Sequence, residues 1–237
     1  MQNDTTRRFY DTSYLSGGFA AQRRYPNEEL CRFMGRHFFP MPPNQRKSIR
    51  ILEVGCGSGA NLWMIARDGF DAYGLDLSSE SLKLCNEMLT SYGTSANLYD
   101  GDMSELPFES SSFHAVVDVF SSYCLDEAGH KRFVSEAARI LKTDGLFFSY
   151  TPSKASDAFK DFAPSRLLDR STLDGIRRPT SPFAGNLYPF RFTTTAEYAA
   201  VLTEAGLTVL RNETTGRTYN NGTEYFEFVV IEASRQP

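Results

Sequence analysis

The chain has 237 residues, of which 41% are hydrophobic and 23% charged, and its formal net charge at pH 7 is −4. This composition supports a sizeable core and excludes global disorder. It argues against a basic nucleic-acid-binding surface, and no apolar run approaches the roughly 18 residues that span a bilayer. The four cysteines are far apart, which argues against a metal site and is typical of a cytoplasmic protein.

Residues 1–48 are rich in aromatic and basic side chains, and we predict that they form an N-terminal cap. A helix start is indicated near Pro26, and apolar residues then recur at helical spacing. These residues are Leu30, Phe33, Met34 and Phe38. Prolines between Pro40 and Pro43 are expected to end the helix and lead into a main domain at 49–237.

From residue 49 onward, short apolar segments alternate with segments of helical period. The strands are predicted at residues 49–54, 72–76, 97–99, 114–120 and 145–150. The helices between them are predicted at residues 61–68, 79–89 and 131–141. This alternation predicts an α/β fold, with a Rossmann-like, doubly wound, mostly parallel sheet that carries helices on both faces.

The alternation stops at residues 151–192, which are rich in proline and aromatic side chains. A segment this long with little regular structure is uncommon in a compact domain unless it forms a lid or a binding insertion. We therefore expect it to cover the substrate. A capped helix at 195–205 and two strands at 207–212 and 225–231, joined by an Asn-Gly turn, are predicted to close the chain as an antiparallel hairpin.

A glycine-rich turn joins the first predicted strand to its helix. Glu53 is followed by Gly55, Gly57 and Gly59. Glycines allow a tight turn and a close approach of a ligand to the backbone, and the next helix N-terminus favours a phosphate or carboxylate. The motif alone leaves two options open, because Gly55, Gly57 and Ala60 also fit the fingerprint of dinucleotide-binding proteins.

Two aspartates follow neighbouring strands at one edge of the predicted sheet. Asp76 ends the second strand, about 20 positions after Gly55, where a carboxylate accepts hydrogen bonds from ribose hydroxyls. Asp102 follows the third strand, where it can accept from an exocyclic amino group. The loop that begins at Phe120 lies at the same edge, so we expect these loops to converge on one crevice.

Five motifs follow one another in order along residues 49–150. They are Glu53-x-Gly55-x-Gly57-x-Gly59, Asp76, Gly101-Asp102-Met103, Leu106-Pro107-Phe108 and Arg139-x-Leu141-Lys142-x-x-Gly145. The series resembles that of the class I S-adenosylmethionine-dependent methyltransferases. The resemblance implies a seven-stranded sheet with one antiparallel strand, and S-adenosyl-L-methionine as the cofactor.

The resemblance also implies which residues bind the cofactor. They are Glu53, Gly55, Cys56, Gly57, Asp76, Leu77, Asp102, Met103 and Phe120. In that assignment the glycine motif borders the methionine half, Asp76 holds the ribose, and Asp102 reaches the adenine amino group. Leu77 and Met103 flank the adenine ring.

The candidates for contact with the methyl acceptor come mainly from the cap. Among the three histidines, His130 precedes a predicted helix at the ligand edge and is the candidate general base, with Tyr14 as its rival. Ordinary core packing is the alternative role for these side chains. The candidate substrate-binding residues are Tyr10, Tyr14, Arg24 and Tyr123.

These observations predict methyl transfer to a small molecule, with O-methylation slightly favoured over N-methylation. The fourth strand is not followed by the Asn/Asp-Pro-Pro-Tyr loop that is typical of amino-group methylation on nucleobases or glutamine. Two alternatives stay open: an NAD(P)-dependent oxidoreductase, and a non-catalytic S-adenosylmethionine-binding module. Nucleic-acid and membrane partners are not expected, and the oligomeric state is left open.

Overall fold

Seven strands form the central sheet in the computed structural model, which describes residues 2–236. Met1 and Pro237, at the ends of the predicted cap and main domain, lie outside the described residues. The strands of this sheet are β1 (Arg50–Val54), β2 (Asp71–Asp76), β3 (Asn97–Asp100), β4 (Phe113–Val119), β5 (Leu141–Pro152), β8 (Leu207–Tyr219) and β9 (Glu224–Arg235). A separate antiparallel pair consists of β6 (Thr172–Leu173) and β7 (Phe190–Arg191).

The strand order of the large sheet is β3-β2-β1-β4-β5-β9-β8. The strands β1 to β5 pair in parallel, whereas β9 runs antiparallel to both of its neighbours. The predicted Rossmann-like sheet with a single antiparallel strand is therefore confirmed. Because the order reverses between β1 and β4, the carboxyl ends of these strands border a crevice of the kind that binds ligands in doubly wound sheets.

Eight helices are present in the described part of the chain. They are α1 (Gln2–Gly17), α2 (Glu28–His37), α3 (Pro43–Arg46), α4 (Leu62–Arg67), α5 (Ser79–Ser91), α6 (Glu127–Ile140), α7 (Asp157–Lys160) and α8 (Thr195–Glu204). Side-chain caps set the start of four of them, through Asn27, Ser78, Asp126 and Thr194. Within residues 2–236, every helix is too short or too polar to cross a membrane.

Several elements differ from the sequence-based prediction. Helix α1 was not predicted, because Thr6 is the one buried side chain described along a polar sequence. Helix α6 begins at Glu127 rather than residue 131, since the Asp126 carboxylate accepts from the N–H of Gly129 and caps the helix earlier. The closing strands are also longer than predicted and extend to Tyr219 and Arg235.

The sheet divides the core into two apolar layers. Successive residues of β5 point to opposite faces, so Phe147 packs with α6 and α8 while Phe148 packs with α2, α4 and α5. Both side chains are fully buried. Helix α2 contributes Leu30, Phe33 and Met34 to the second layer, so this part of the predicted cap packs in the same core as the sheet.

A third cluster, made mainly of aromatic residues, lies beside the carboxyl end of β4. Residues 151–192 contribute Tyr188, Phe190 and Phe192, and β9 contributes Phe226. Phe9 and Tyr10 of α1 pack against the same cluster. The irregular segment therefore folds around its own aromatic core and meets α1 next to the crevice.

Candidate functional site

The turn after β1 brings backbone to the centre of the crevice. Gly55 and Gly57 adopt positive φ values of 61° and 51°, a region that side chains rarely adopt. A Cβ on Gly55 would lie 2.2 Å from the Cβ of Ser121, so only glycine fits there. Ser121 Oγ lies 2.6 Å from Asp118 Oδ1 and 2.8 Å from the carbonyl oxygen of Val54, which holds the loop after β4 against this turn.

Asp76 links the glycine turn to the end of β2. Its Oδ2 accepts a hydrogen bond of 2.8 Å from the N–H of Gly57, and its Oδ1 accepts one of 2.9 Å from the N–H of Ser78. Burial raises the pKa of this carboxyl, and the two backbone donors oppose that effect. The side chain is thus preorganised at the lip of the crevice.

Glu53 is a buried carboxyl with one unused oxygen. Its Oε1 accepts a hydrogen bond of 2.6 Å from Asn61 Nδ2, whereas its Oε2 is buried without a partner among the described residues. Burial raises the pKa of Glu53 to about 8. Asn61 Oδ1 in turn accepts from Arg23 Nη2 at 3.0 Å and from the N–H of Asn27 at 2.8 Å, so the N-terminal region is connected to Glu53 through Asn61.

Two adjoining cavities make up the crevice. The first cavity is lined by Asp76, Leu77, Asp102 and Met103. The second cavity is lined by Arg23, Glu53, Cys56, Gly57, Tyr123 and Tyr188. Both are lined by Tyr10, Tyr14, Gly55 and Phe120, which therefore mark their junction.

Three tyrosine hydroxyls meet in the wall of the second cavity. The hydroxyl oxygens of Tyr10 and Tyr123 are 2.6 Å apart, those of Tyr123 and Tyr188 are 2.6 Å apart, and those of Tyr10 and Tyr188 are 3.0 Å apart. Burial raises the pKa of all three phenols. We call this group the tyrosine triangle. Phe120 stacks on Tyr123 with ring centroids 4.2 Å apart.

All nine residues predicted from the resemblance to bind the cofactor line one or both cavities. Of the four candidate substrate-binding residues, Tyr10, Tyr14 and Tyr123 also line the crevice. Met103 approaches the glycine turn, where its Cε lies 3.5 Å from the position that a Cβ on Gly55 would take. These residues come from the ends of four strands, the loops that follow them, and helix α1, so residues that are far apart in the sequence meet in one crevice.

His130 and Tyr14, the two candidates for a general base, do not fit that role. The earlier start of α6 turns His130 inward, where it is fully buried and packs on Tyr198 with ring centroids 4.9 Å apart. Burial lowers its pKa well below the ordinary value. Tyr14 does line the crevice, but burial and the nearby Asp76 raise its pKa, so its hydroxyl stays protonated at neutral pH.

Arg24, which was predicted to bind the substrate, also lies outside the crevice. Its neighbour Arg23 lies in the crevice instead. The Arg24 guanidinium stands over the ring of Phe19 at 5.2 Å, and its carbonyl oxygen accepts from Trp63 Nε1. Arg23 lines the second cavity. Two adjacent arginines look alike in a sequence, and only the backbone direction before α2 distinguishes them.

Some residues of the site were missed by the sequence analysis. The sequence pattern predicts Asp118 only as part of an apolar strand, whereas the structure shows that it is fully buried and accepts from the backbone N–H groups of Ser121 and Ser122. An acidic residue inside an apolar strand was the available signal. Asn61 and Tyr188 gave no such signal, because polar helix starts and scattered aromatics are common.

Residues 51–145 match the family model described as a methyltransferase domain. The chain is 35% identical to phthiotriol/phenolphthiotriol dimycocerosates methyltransferase of Mycobacterium leprae over 50% of this chain and 44% of that protein. It is 36% identical to fatty-acid O-methyltransferase of Mycolicibacterium smegmatis over 44% of this chain and 37% of that protein. The chain thus spans less than half the length of these two relatives.

A solved S-adenosylmethionine-dependent methyltransferase from Methanosarcina mazei has the same fold. It superposes with a TM-score of 0.65 at 20% identity, over 83% of this chain and 98% of that chain. Together with the strand order, the matched methyltransferase domain agrees with the predicted resemblance to the class I S-adenosylmethionine-dependent methyltransferases. The motif series therefore predicted the methyltransferase domain and its cofactor correctly, and the oxidoreductase alternative receives no support.

Proposed function

We propose that this protein transfers a methyl group from S-adenosylmethionine to a small-molecule acceptor, and that the accepting atom is an oxygen. The observation that carries the proposal is the unpaired, buried Glu53 Oε2 in one cavity beside Asp76 in the adjoining one. A buried carboxylate oxygen without a donor suits an ammonium group. The relative that is named as a fatty-acid O-methyltransferase supports the choice of oxygen.

The two cavities match the two halves of this cofactor. In the first, Asp76 is proposed to accept from the ribose hydroxyls and Asp102 from the adenine amino group, with Leu77 and Met103 against the ring. In the second, Glu53 is proposed to bind the ammonium and Arg23 the carboxylate of the methionine portion. Gly55, at the junction, leaves room for the chain between them.

When bound, S-adenosylmethionine supplies a methyl group on a positively charged sulfur. The protein's own part is to hold the two reactants in line and to exclude water. Ser121, held by Asp118, keeps the glycine turn in place. Tyr14 and Phe120 close the junction of the cavities with aromatic rings, whose faces attract a cation.

Helix α1 and residues 151–192 are proposed to cover the acceptor. Helix α1 lines the second cavity with Phe9, Tyr10 and Tyr14, and the irregular segment lines it with Phe183 and Tyr188. Both segments contribute to one aromatic cluster, so they meet each other in the wall of this cavity. A wall of aromatic rings is suited to an acceptor with an apolar body.

The cofactor assignment is tested by calorimetry with S-adenosylhomocysteine, the product form of the cofactor. Asp76→Ala is expected to weaken its binding at least tenfold, because two ribose hydrogen bonds are lost. Asp71→Ala is the matched control, since Asp71 begins the same strand and pairs with Arg50 at the opposite edge. Equal affinity of the native protein and Asp76→Ala would remove the assignment, and tighter binding of NAD would favour an oxidoreductase.

A further inference from the structure

We propose that the acceptor is an apolar carboxylic acid, bound as its carboxylate by the hydroxyls of Tyr10, Tyr123 and Tyr188. This inference rests on the proposed methyl-transfer function and specifies the substrate class of the same site. It starts from the tyrosine triangle, whose three members come from α1, the loop after β4 and the segment 151–192. Hydroxyls that converge from three distant parts of the chain form a polar group beside the rings of Phe9, Phe120 and Phe183, which line the same cavity.

The rings that carry these hydroxyls are held rigidly. Tyr123 packs on Phe190 with ring centroids 4.5 Å apart, and Tyr188 packs on Phe9 at 4.8 Å. Tyr123 and Tyr188 are almost fully buried, yet both line the second cavity. The hydroxyls are therefore held in place before any acceptor arrives, which reduces the entropy lost on binding.

The triangle is suited to an anion rather than to a neutral alcohol. Burial keeps all three phenols protonated at neutral pH, so each has a hydrogen to donate. Without an acceptor, each hydroxyl donates its hydrogen to a neighbouring hydroxyl of the triangle. A carboxylate offers charge-assisted bonds, which are roughly twice as strong as the neutral ones it replaces, whereas an alcohol offers no such gain.

The charged groups around the triangle agree with this assignment. Arg23 lines the same cavity, where it is proposed to pair with the carboxylate of the methionine portion, so that this carboxylate repels an anionic acceptor less. Burial raises the pKa of Glu53 to about 8 and that of the Cys124 thiol, 3.7 Å from the Tyr10 hydroxyl, to about 12. Both are therefore mostly neutral near pH 7 and offer little repulsion, and an ammonium at Glu53 would offset the charge of its ionised form.

A carboxylate also needs no base, and the three histidines of the chain lie elsewhere. His37 Nε2 is 2.7 Å from Glu232, His114 Nδ1 accepts from the N–H of Arg50, and His130 is enclosed by α6 and α8. A neutral alcohol would have to lose a proton before or during attack. The carboxylate arrives with its electron pair free.

The reaction balances without a proton acceptor. A lone pair of the carboxylate oxygen forms the new O–C bond while the C–S bond breaks and its electron pair goes to sulfur. The products are a neutral methyl ester and the neutral thioether of S-adenosylhomocysteine. An anion and a cation thus become two neutral molecules, and this loss of charge is favoured by a cavity that excludes water.

The test compares acids with alcohols of the same carbon skeleton on the full chain saturated with S-adenosylhomocysteine. The probes are decanoate against decan-1-ol and cinnamate against cinnamyl alcohol, with affinities measured by calorimetry. We expect at least one acid to bind tenfold or more tightly than its alcohol, and its methyl ester to form when S-adenosylmethionine is supplied. Equal affinities of acid and alcohol, or no binding of either acid, would overturn the inference.

Variants of the triangle separate recognition from a structural effect. Tyr123→Phe and Tyr188→Phe are each expected to lower the acid-to-alcohol affinity ratio at least fivefold, while S-adenosylhomocysteine still binds within twofold of native. Tyr73→Phe is the control, because the hydroxyl of Tyr73 in β2 accepts a hydrogen bond from Arg50 of β1, away from this cavity. An unchanged ratio in both triangle variants would contradict the inference. If S-adenosylhomocysteine itself failed to bind the native protein, the proposed function would fail first.

Discussion

At the scale of single residues, Glu53 has the clearest chemical signature. Its pKa is raised from 4.5 to about 8 because burial penalises the charged form more than Asn61 stabilises it. The folded protein therefore binds a proton here that the unfolded chain releases above pH 4.5. The stability that comes from this group is complete below that pH and is lost as the pH rises through about 8.

Glu53→Gln is expected to flatten this part of the pH dependence. The free energy of unfolding of the native protein should fall relative to that of the variant between pH 4.5 and 8, by more than about 1 kcal/mol. Urea unfolding of both proteins at several pH values measures the difference. Parallel curves over this range would show that Glu53 ionises normally in the folded protein.

The same carboxyl should couple cofactor binding to proton release. An ammonium beside Glu53 favours its charged form, so S-adenosylhomocysteine binding at pH 7 should displace close to one proton and tighten as the pH rises to 8. Calorimetry in buffers of different ionisation enthalpy counts the protons. Glu53→Gln should abolish most of this release and weaken binding at least tenfold, and an unchanged proton count would contradict the ammonium assignment.

A substitution at Gly55 tests whether ligand binding depends on the shape of the glycine turn. Gly55→Ala should weaken S-adenosylhomocysteine binding at least tenfold, because its Cβ would lie 2.2 Å from the Cβ of Ser121 and displace the loop after β4. Gly93→Ala is a matched control, since Gly93 has a φ of 67° with nothing within 4 Å of its would-be Cβ. It should cost about 1 kcal/mol of backbone strain and leave binding unchanged. If both variants lost the same amount of S-adenosylhomocysteine affinity, backbone strain alone would explain the effect.

At the scale of elements, α1 and α2 have different tasks although both belong to the predicted cap. Helix α2 buries Leu30, Phe33 and Met34 completely, whereas α1 presents Tyr10 and Tyr14 to the crevice and buries little. Helix α1 is attached through Asp11, which accepts a short hydrogen bond from Ser78, and through aromatic contacts. Its position is therefore governed by the site rather than by the core.

Deletion of residues 1–17 should accordingly leave the fold intact and remove the activity. We expect the truncated protein to melt within a few degrees of the native one, while methyl transfer falls at least a hundredfold because the acceptor cavity loses one wall. The contrasting variant is Phe33→Ala, which should cost about 3–5 kcal/mol of stability and spare S-adenosylhomocysteine binding. Near-ultraviolet circular dichroism reports the fold, and full activity of the truncated protein would refute a covering role for α1.

At the scale of the whole molecule, the sheet was more predictable than the site. Strand and helix periods are local, so the alternation from β1 to β5 could be read from residues such as Ile51, Leu52 and Val54. The positions of His130 and Arg24 could not, because they depend on where a cap begins a helix and how the chain turns before α2. The tyrosine triangle joins residues more than 60 positions apart, and a single sequence carries no sign of such a contact.

The arrangement of the whole molecule predicts which segments are protected from hydrogen exchange when the ligand binds. Side chains of Asp76, Glu53 and Asp118 hold the loops after β1, β2 and β4, and the N–H of Gly101 joins the loop after β3 to the carbonyl oxygen of Asp76. S-adenosylhomocysteine should therefore slow amide hydrogen exchange in these four loops and in α1 together. The turns at the opposite edge of the sheet, around residues 93–96 and 109–112, should be unaffected. Hydrogen exchange with mass spectrometry resolves these peptides. Protection at the opposite edge, or at one loop only, would contradict a ligand that spans both cavities.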